Sequence, residues 1–302
     1  MVSQGHQVVV IHRGPRDSVG SDPSVAGVDY RRADLTVASQ ASRVLDDCDF
    51  EGLFHLAAQA SPSLSWRHPA TVLRNNLIGQ TNLLEAVRRR RIKPKVVIAS
   101  SADIYGPVGI GEPAINEDAP LRPANPYALS KAAQDLQGLQ YYLALGLPIT
   151  RIRMFTQAGP GQARSYAVSD FAWQVANFEA GRRPCRLRVG NLENRRDYTD
   201  VRDMARALAL TMERGEAGQA YNVGTGRTVR LRQIVEMLAT MSKIGFDVLV
   251  DPRRYRPGDA REMLCDATRF RSLTGWQPQF DLRTTVADTL GYWRGRVSQV
   301  GP

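Results

Sequence analysis

HQVVVIHRG (residues 6–14), within the opening MVSQGHQVVVIHRG (1–14), poses the question that decides the fold. Val8 to Ile11 is an all-apolar, β-branched run, the composition of a strand buried on both faces of a parallel sheet. Gly5 before it reads as the close of a helix. Outward from here the same alternation repeats. EGLFHLAAQAS (51–61) carries a second apolar strand that ends in small residues. LRNNLIGQTNLLEAVRRRR (73–91) has apolar residues at 73, 77, 83, 84 and 87, near a 3.6 period, and predicts a helix whose basic end suits the negative end of the helix dipole. PKVVIASSADIYG (94–106) is a third strand running into a loop. NPYALSKAAQDLQGLQYYLALG (125–146) predicts a long helix with Asn125 as its cap, Pro126 at the first helical position and Gly146 at its close. PITRIRMFT (148–156) is a fourth strand. Buried strands alternating with amphipathic helices predict an α/β fold, a doubly wound parallel sheet.

From about residue 157 the pattern loosens into a loop at GPGQ (159–162), helices over 168–181, 199–215, 231–241, 267–276 and 282–293, and a strand at CRLRVG (185–190). This predicts residues 1–156 as one domain and 157–302 as a smaller mixed domain, with a segment near 190–212 returning to the first. The chain of 302 residues, 43% hydrophobic and 23% charged, is long enough for one large or two modest cores. No apolar run approaches the roughly 20 residues that span a bilayer, and the polar start lacks a signal-peptide layout, so a soluble, cytoplasmic protein is expected. Cys48, Cys185 and Cys265 have no paired spacing, which indicates neither a disulfide framework nor a metal site. The net charge of +10 invites a nucleic-acid partner, yet only Lys93, Lys95, Lys131 and Lys243 are lysines, so 36 of the 40 basic residues are arginine. Such a skew follows from genomic composition as readily as from an anionic partner, and neither nucleic acid nor membrane is expected as one.

Tyr127 and Lys131 stand four apart inside a predicted helix and so share a face. An ammonium beside a phenol favours phenolate and lowers a pKa normally near 10, which fits the phenol for acid and base work. Ser101, at the end of a buried strand where parallel sheets present ligand-facing groups, can bind a substrate oxygen.

Ser101 with the ADIYG that follows, and NPYALSK, together resemble the extended short-chain dehydrogenase/reductase superfamily that acts on nucleotide-sugars. The resemblance continues through HLAAQAS, NNLIGQTNLLEA, GPGQ, SDFAWQVANFEAG, VGNLENRRDYTDVRD, YNVGTG, RPGD and LTGWQP, nearly the whole chain from residue 5. GPGQ, GNLE with RDYTDVRD, and RPGD are most similar to the GDP-mannose branch, the 4,6-dehydratases and the GDP-4-keto-6-deoxy-mannose reductases. The resemblance implies a Rossmann-like first domain and a nucleotide-sugar domain after it. Tyr127 would be the proton donor or acceptor, Lys131 would hold the nicotinamide ribose and tune Tyr127, and Ser101 would bind the C4 oxygen of the sugar. Asn76 would support the site, Ala57 and Ala58 would line the cofactor cleft, and Asp34 would approach the adenine. Arg196 and Arg256 would clamp the diphosphate with their guanidinium forks, and Asp259 would bind the nucleotide ribose. A homodimer through the helices near 73–91 and 126–145 is implied by the same analogy.

Dehydratases of this group use a carboxylate two residues after the Ser/Thr, usually glutamate, to take the C5 proton. Asp103 stands there, one methylene shorter, and near-attack geometry tolerates little misplacement. RPGD also resembles the reductases more closely. The expectation is therefore reduction of the C4 ketone of a GDP-linked 4-keto-6-deoxy sugar by NAD(P)H. The alternatives are a GDP-mannose 4,6-dehydratase, a nucleotide-sugar 4-epimerase, or a non-catalytic nucleotide-sugar binding protein. At the end of the 8–12 strand NAD users carry an acid for the ribose hydroxyls. His12 stands there, with Arg13 and Arg16 behind it, which favours NADP(H) over NAD(H). Thr156 replaces a substrate-contacting asparagine, keeping a hydroxyl but losing reach and one donor.

The resemblance also implies some twenty residues ahead of Met1, a first strand and a glycine-rich loop whose amides hold the cofactor pyrophosphate. The expectation is that Met1 is an internal methionine, from a start-site error or truncation, and that two interior strands face each other across a gap.

Overall fold

The computed structural model describes residues 2, 5–14, 27–46, 49–255 and 260–299. Strands β1 (Val9–His12) and β2 (Asp29–Arg32) pair in parallel, from Val9 opposite Asp29 to His12 opposite Arg32. After helix α1 (Ala38–Asp46) comes β3 (Gly52–His55), then α2 (Pro62–Arg67), α3 (Pro69–Leu73), a π-helical turn over Arg74–Ile78 and α4 (Gly79–Arg89). β4 (Lys95–Ser101), a 3₁₀ turn at Ala102–Tyr105, α5 (Pro126–Leu145) and β5 (Ile149–Met154) complete the first half. The second half runs β6 (Thr156–Ala158), α6 (Ala167–Glu179), β7 (Arg186–Val189), β8 (Arg195–Asp200), α7 (Val201–Arg214), β9 (Ala220–Val223), β10 (Thr228–Arg230) and α8 (Leu231–Met241). It ends with β11 (Asp247–Val250), β12 (Glu262–Met263), α9 (Thr268–Thr274) and α10 (Leu282–Gln299).

The parallel sheet predicted from the sequence is present, in two pieces. One is β1–β2; the other is β3–β4–β5–β9, all parallel pairs. Between β1 and β3 lies an open cleft of about 2260 Å³ lined by both strands. Val8–Ile11 was expected to be buried on both faces, and this is corrected: Val9 is 38% exposed and no residue of β1 is buried, because the flank of the strand that faces β3 borders the cleft. The expected gap between two strands is present as this cleft. The helix tail expected before Gly5 falls on residues 1–4, of which 1, 3 and 4 lie outside the described residues, as do Arg16 and Cys48.

α5 shows why this sheet carries a site. Asn125 Oδ1 accepts from Ala128 N at 2.8 Å, Pro126 opens the helix, and Gly146 closes it at φ 64°. Mid-helix Gly138 lets α5 settle onto β4 and β5: a Cβ there would lie 2.7 Å from Ile98 Cδ1 and 3.3 Å from Ile149 Cγ2. Two predicted elements are refined. The helix predicted over 73–91 contains the π turn, and the loop expected after β4 is the 3₁₀ turn. α7 covers the other face of β4 and β5. In the second half, β8 pairs with β6, β10 and β12, and β7 pairs with β11. α6, α8 and α10 bury Phe171, Val175, Ile234, Leu238 and Leu290 with Leu187 in a separate apolar core. Among the described residues, no helix is long and apolar enough to cross a membrane.

Candidate active site

At the C-terminal end of β4 the chain tightens. Ser101 caps the 3₁₀ turn, its Oγ accepting from Asp103 N at 3.2 Å. Gly106 ends the turn at φ 77°, where a Cβ would lie 1.9 Å from Arg122 O, so no other residue fits. Below the turn, Tyr105 donates to Asn222 Oδ1 at 2.7 Å and accepts from Arg153 Nη1 at 2.9 Å. Arg153 is in turn held by Asp135 of α5. A buried polar network therefore fixes the turn carrying Ser101 and Asp103 against the helix carrying Tyr127 and Lys131.

Tyr127 sits on the first turn of α5, 9% exposed, with the Ser101 hydroxyl among the groups that act on its phenol. Burial pushes the phenol above its ordinary value; the Asp103 charge pushes the same way and the Ser101 hydrogen bond opposes both. The expected lowering by Lys131 is not found. The Lys131 amine is turned to the Ala99 carbonyl and to Gln134 Oε1, at 3.0 Å from the latter, and does not figure among the groups that shift Tyr127. Burial lowers Lys131 itself to about 8, with the Asp135 charge opposing.

Asn76, in the π turn and fully buried, braces the site. Its Oδ1 accepts from Gln59 N at 2.7 Å and its Nδ2 donates to Ser130 Oγ at 2.8 Å, tying the loop after β3 to α5. The cleft between β1 and β3 brings together His12, Arg13, Asp34, Ala57 and Ala58. His12 Nδ1 accepts from Gly14 N at 3.0 Å, and Asp34 accepts from Thr36 N and Oγ1. Those two Thr36 bonds, then the charges of Arg13 and Arg74, hold Asp34 below the usual carboxylate range. Ser101, Tyr127 and Lys131 are not in the cleft lining. Thr156 lies in β6 opposite Tyr198, and Arg196 in β8 between Val229 of β10 and Met263 of β12. Arg256 and Asp259 lie outside the described residues.

The residues from 1 to 289 match the family model described as GDP-mannose 4,6 dehydratase. The chain belongs to this family. Over 249 residues, 82% of each chain, it is 33% identical to the GDP-6-deoxy-D-mannose reductase of Pseudomonas aeruginosa. The structure of RMD from Pseudomonas aeruginosa complexed with NADPH superposes with a TM-score of 0.85 at 28% identity, over 96% of this chain and 100% of that one. UDP-glucose 4-epimerase of Thermus thermophilus, in complex with NAD, superposes with a TM-score of 0.86 at 31% identity, over 97% and 93%. This GDP-mannose 4,6-dehydratase family member is an extended short-chain dehydrogenase/reductase with a Rossmann-type sheet.

Three buried residues of this family member were not singled out from the sequence: Asp135, Gln134 and His55. The pair Arg151 and Arg153, two arginines in an otherwise apolar strand, is a signal for the first, since buried guanidinium groups need a buried acid. Nothing comparable marks the other two.

Proposed function

We propose that this protein reduces the C4 ketone of a GDP-linked 4-keto-6-deoxy sugar with NADPH. The observation that carries the reading is Tyr127 buried at the start of α5, with Ser101 acting on its phenol and Lys131 one turn further along the helix, in a chain 33% identical to a GDP-6-deoxy-D-mannose reductase. The nicotinamide cofactor, when bound, supplies the hydride to C4. His12, Arg13 and Asp34 fit the adenosine end of such a cofactor, and Ala57 and Ala58 offer small side chains along the cleft. Arg13 and Arg74, both acting on Asp34, put positive charge where a 2′-phosphate is received, which favours NADPH. Ser101 holds the C4 oxygen, and Tyr127, kept protonated by burial, gives it the proton. Lys131 is the proposed holder of the nicotinamide ribose. Arg196, Thr156, Arg256 and Asp259 are the proposed nucleotide-sugar contacts.

One observation favours a second reading, 4,6-dehydration: Asp103 is close enough to Tyr127 to raise its pKa, as a C5 base working beside the phenol would be. Incubation of the protein with GDP-4-keto-6-deoxymannose and NADPH, and separately with GDP-mannose and NADP⁺, separates the two. Loss of NADPH absorbance in the first mixture supports reduction; a 4-keto product in the second alone overturns it.

The outer face of α5 exposes Leu129, Leu136 and Leu143, 49%, 52% and 71% exposed and spaced by seven residues. A second copy of the chain is proposed to cover them. Leu136→Glu with Leu143→Glu should halve the mass seen by light scattering; an unchanged mass excludes this face.

A further inference from the structure

Between the Tyr127–Lys131 pair and the cleft lies a buried side chain to which the proposed chemistry gives no role. Gln134, three residues beyond Lys131 on α5, is fully buried. Its Oε1 accepts from Lys131 Nζ at 3.0 Å. Its Nε2 donates to the Asn76 carbonyl at 2.9 Å and lies 3.1 Å from His55 Nε2. The orientation of this amide is not free. An ammonium only donates, so the atom facing Lys131 is oxygen; a peptide carbonyl only accepts, so the atom facing Asn76 is nitrogen. His55 Nε2 must then accept, which makes the imidazole neutral with its proton on Nδ1. His55 ends β3, is 3% exposed and also lines the cleft, so Gln134 joins the cofactor side of the molecule to the catalytic helix.

We infer that Gln134 is a positioning residue: it holds His55 as a neutral acceptor and so keeps a second cation from standing against Lys131, one turn along α5 from Tyr127. The inference rests on the reading of Tyr127 and Lys131 as the proton-handling pair. The groups around Lys131 leave that task to Gln134. Asp135 on α5 favours the ammonium but is already engaged by Arg151 and Arg153 of β5. Tyr127 on α5 is neutral, and Asp103 from the 3₁₀ turn acts on Tyr127. His55 from β3 is the group that would place a second cation against Lys131. Burial, then the Lys131 charge, lowers His55 to about 3, so at neutral pH the two charges do not coexist. Removing the amide takes an acceptor from Lys131 and a donor from His55, which weakens the ammonium and frees the imidazole to change tautomer.

The chain has four lysines and four histidines, so selective labelling resolves each by NMR. Titration of the full chain carrying ¹³C-lysine and ¹⁵N-histidine should show His55 with Nε2 unprotonated and Nδ1 bearing the proton, and Lys131 titrating below the other three lysines. Gln134→Leu should lower the Lys131 midpoint by about one pH unit, a tenfold change in its protonation constant, with the alkaline limb of the pH–rate profile moving alongside. Gln134→Glu should move Lys131 the opposite way and bring a proton onto His55. An Nε2-protonated tautomer in the wild type, or a Lys131 midpoint that neither substitution moves, overturns the inference. Should Gln134→Leu fail to fold, the wild-type tautomer and Gln134→Glu still decide it. These titrations need no turnover. Shifts as stated in a protein without reductase activity would overturn the proposed reaction and leave the electrostatic role of Gln134; reduction with an unmoved Lys131 would do the reverse.

Discussion

Arg153 grips Asp135 in a two-pronged pair, Nε to Oδ2 at 3.0 Å and Nη2 to Oδ1 at 2.9 Å, inside the protein. Arg151 Nη1 meets the same Oδ1 at 2.9 Å. One carboxylate thus serves two guanidinium groups and joins α5 to β5. Burial by itself would raise Asp135, but the Arg153 hydrogen bonds and the charges of both arginines outweigh it and hold the carboxyl below its ordinary value. Asp135→Ala leaves two buried cations without a counter-charge and should cost about 3 to 5 kcal/mol. Urea unfolding at neutral pH checks this; a loss below about 1 kcal/mol would mean that water reaches the arginines. Because the folded pKa is depressed, the contribution of Asp135 is complete above its unfolded pKa, about 3.9, and is lost as pH falls below it.

That pair also marks where sequence reading stops. The strand–helix alternation, the cap at Asn125, the stop at Gly146 and the face shared by Tyr127 and Lys131 were legible because each depends on residues within a few positions of one another. β9 and the β8 neighbours were not, since short strands such as Thr228–Arg230 acquire their identity from partners 30 or more residues away. The same holds for the site. Ser101, Tyr127 and Lys131 were singled out as candidates by motif, but the chain Lys131–Gln134–His55 spans residues 55 to 134 and has no local signature. The lowered phenol pKa failed for a related reason. Helical spacing says which side chains share a face but not that a carbonyl at Ala99 claims the ammonium.

Gly138 gives a test of how closely α5 must approach the sheet. Alanine there recovers helix propensity of about 1 kcal/mol yet pushes on Ile98, so its net effect should be small. Valine adds two methyl groups against Ile98 and Ile149 and should destabilise by about 1 to 3 kcal/mol. Activity should fall further than stability explains, because the helix that shifts carries Tyr127. Retained kcat in a destabilised Gly138→Val protein would show that the helix tolerates displacement.

Tyr127 and Asp103 separate the two proposed reactions. Tyr127→Phe keeps the ring and loses the proton, so kcat for reduction should drop by about 10² to 10⁴ with KM little changed. Asp103→Asn removes the charge that raises Tyr127 and should leave reduction within a few-fold of wild type. A comparable collapse in Asp103→Asn would assign the carboxylate a proton-transfer step and favour dehydration.

Lys131 connects stability to pH through the same chemistry. Its folded pKa of about 8 lies below the 10.5 of a free lysine, with burial as the largest cause. Between these values the unfolded chain binds the proton and the folded chain does not, so stability gains with rising pH, by about 1.4 kcal/mol per unit at full effect. Below pH 8 both states carry the proton and the cost of burying the charge is fully present. Unfolding of the wild type and of Lys131→Met should therefore diverge between pH 8 and about 10, the wild type improving relative to the variant. Parallel curves across that window would mean that Lys131 keeps its proton when buried. The ammonium would then be held more firmly than two carbonyl oxygens and a shared Asp135 can account for.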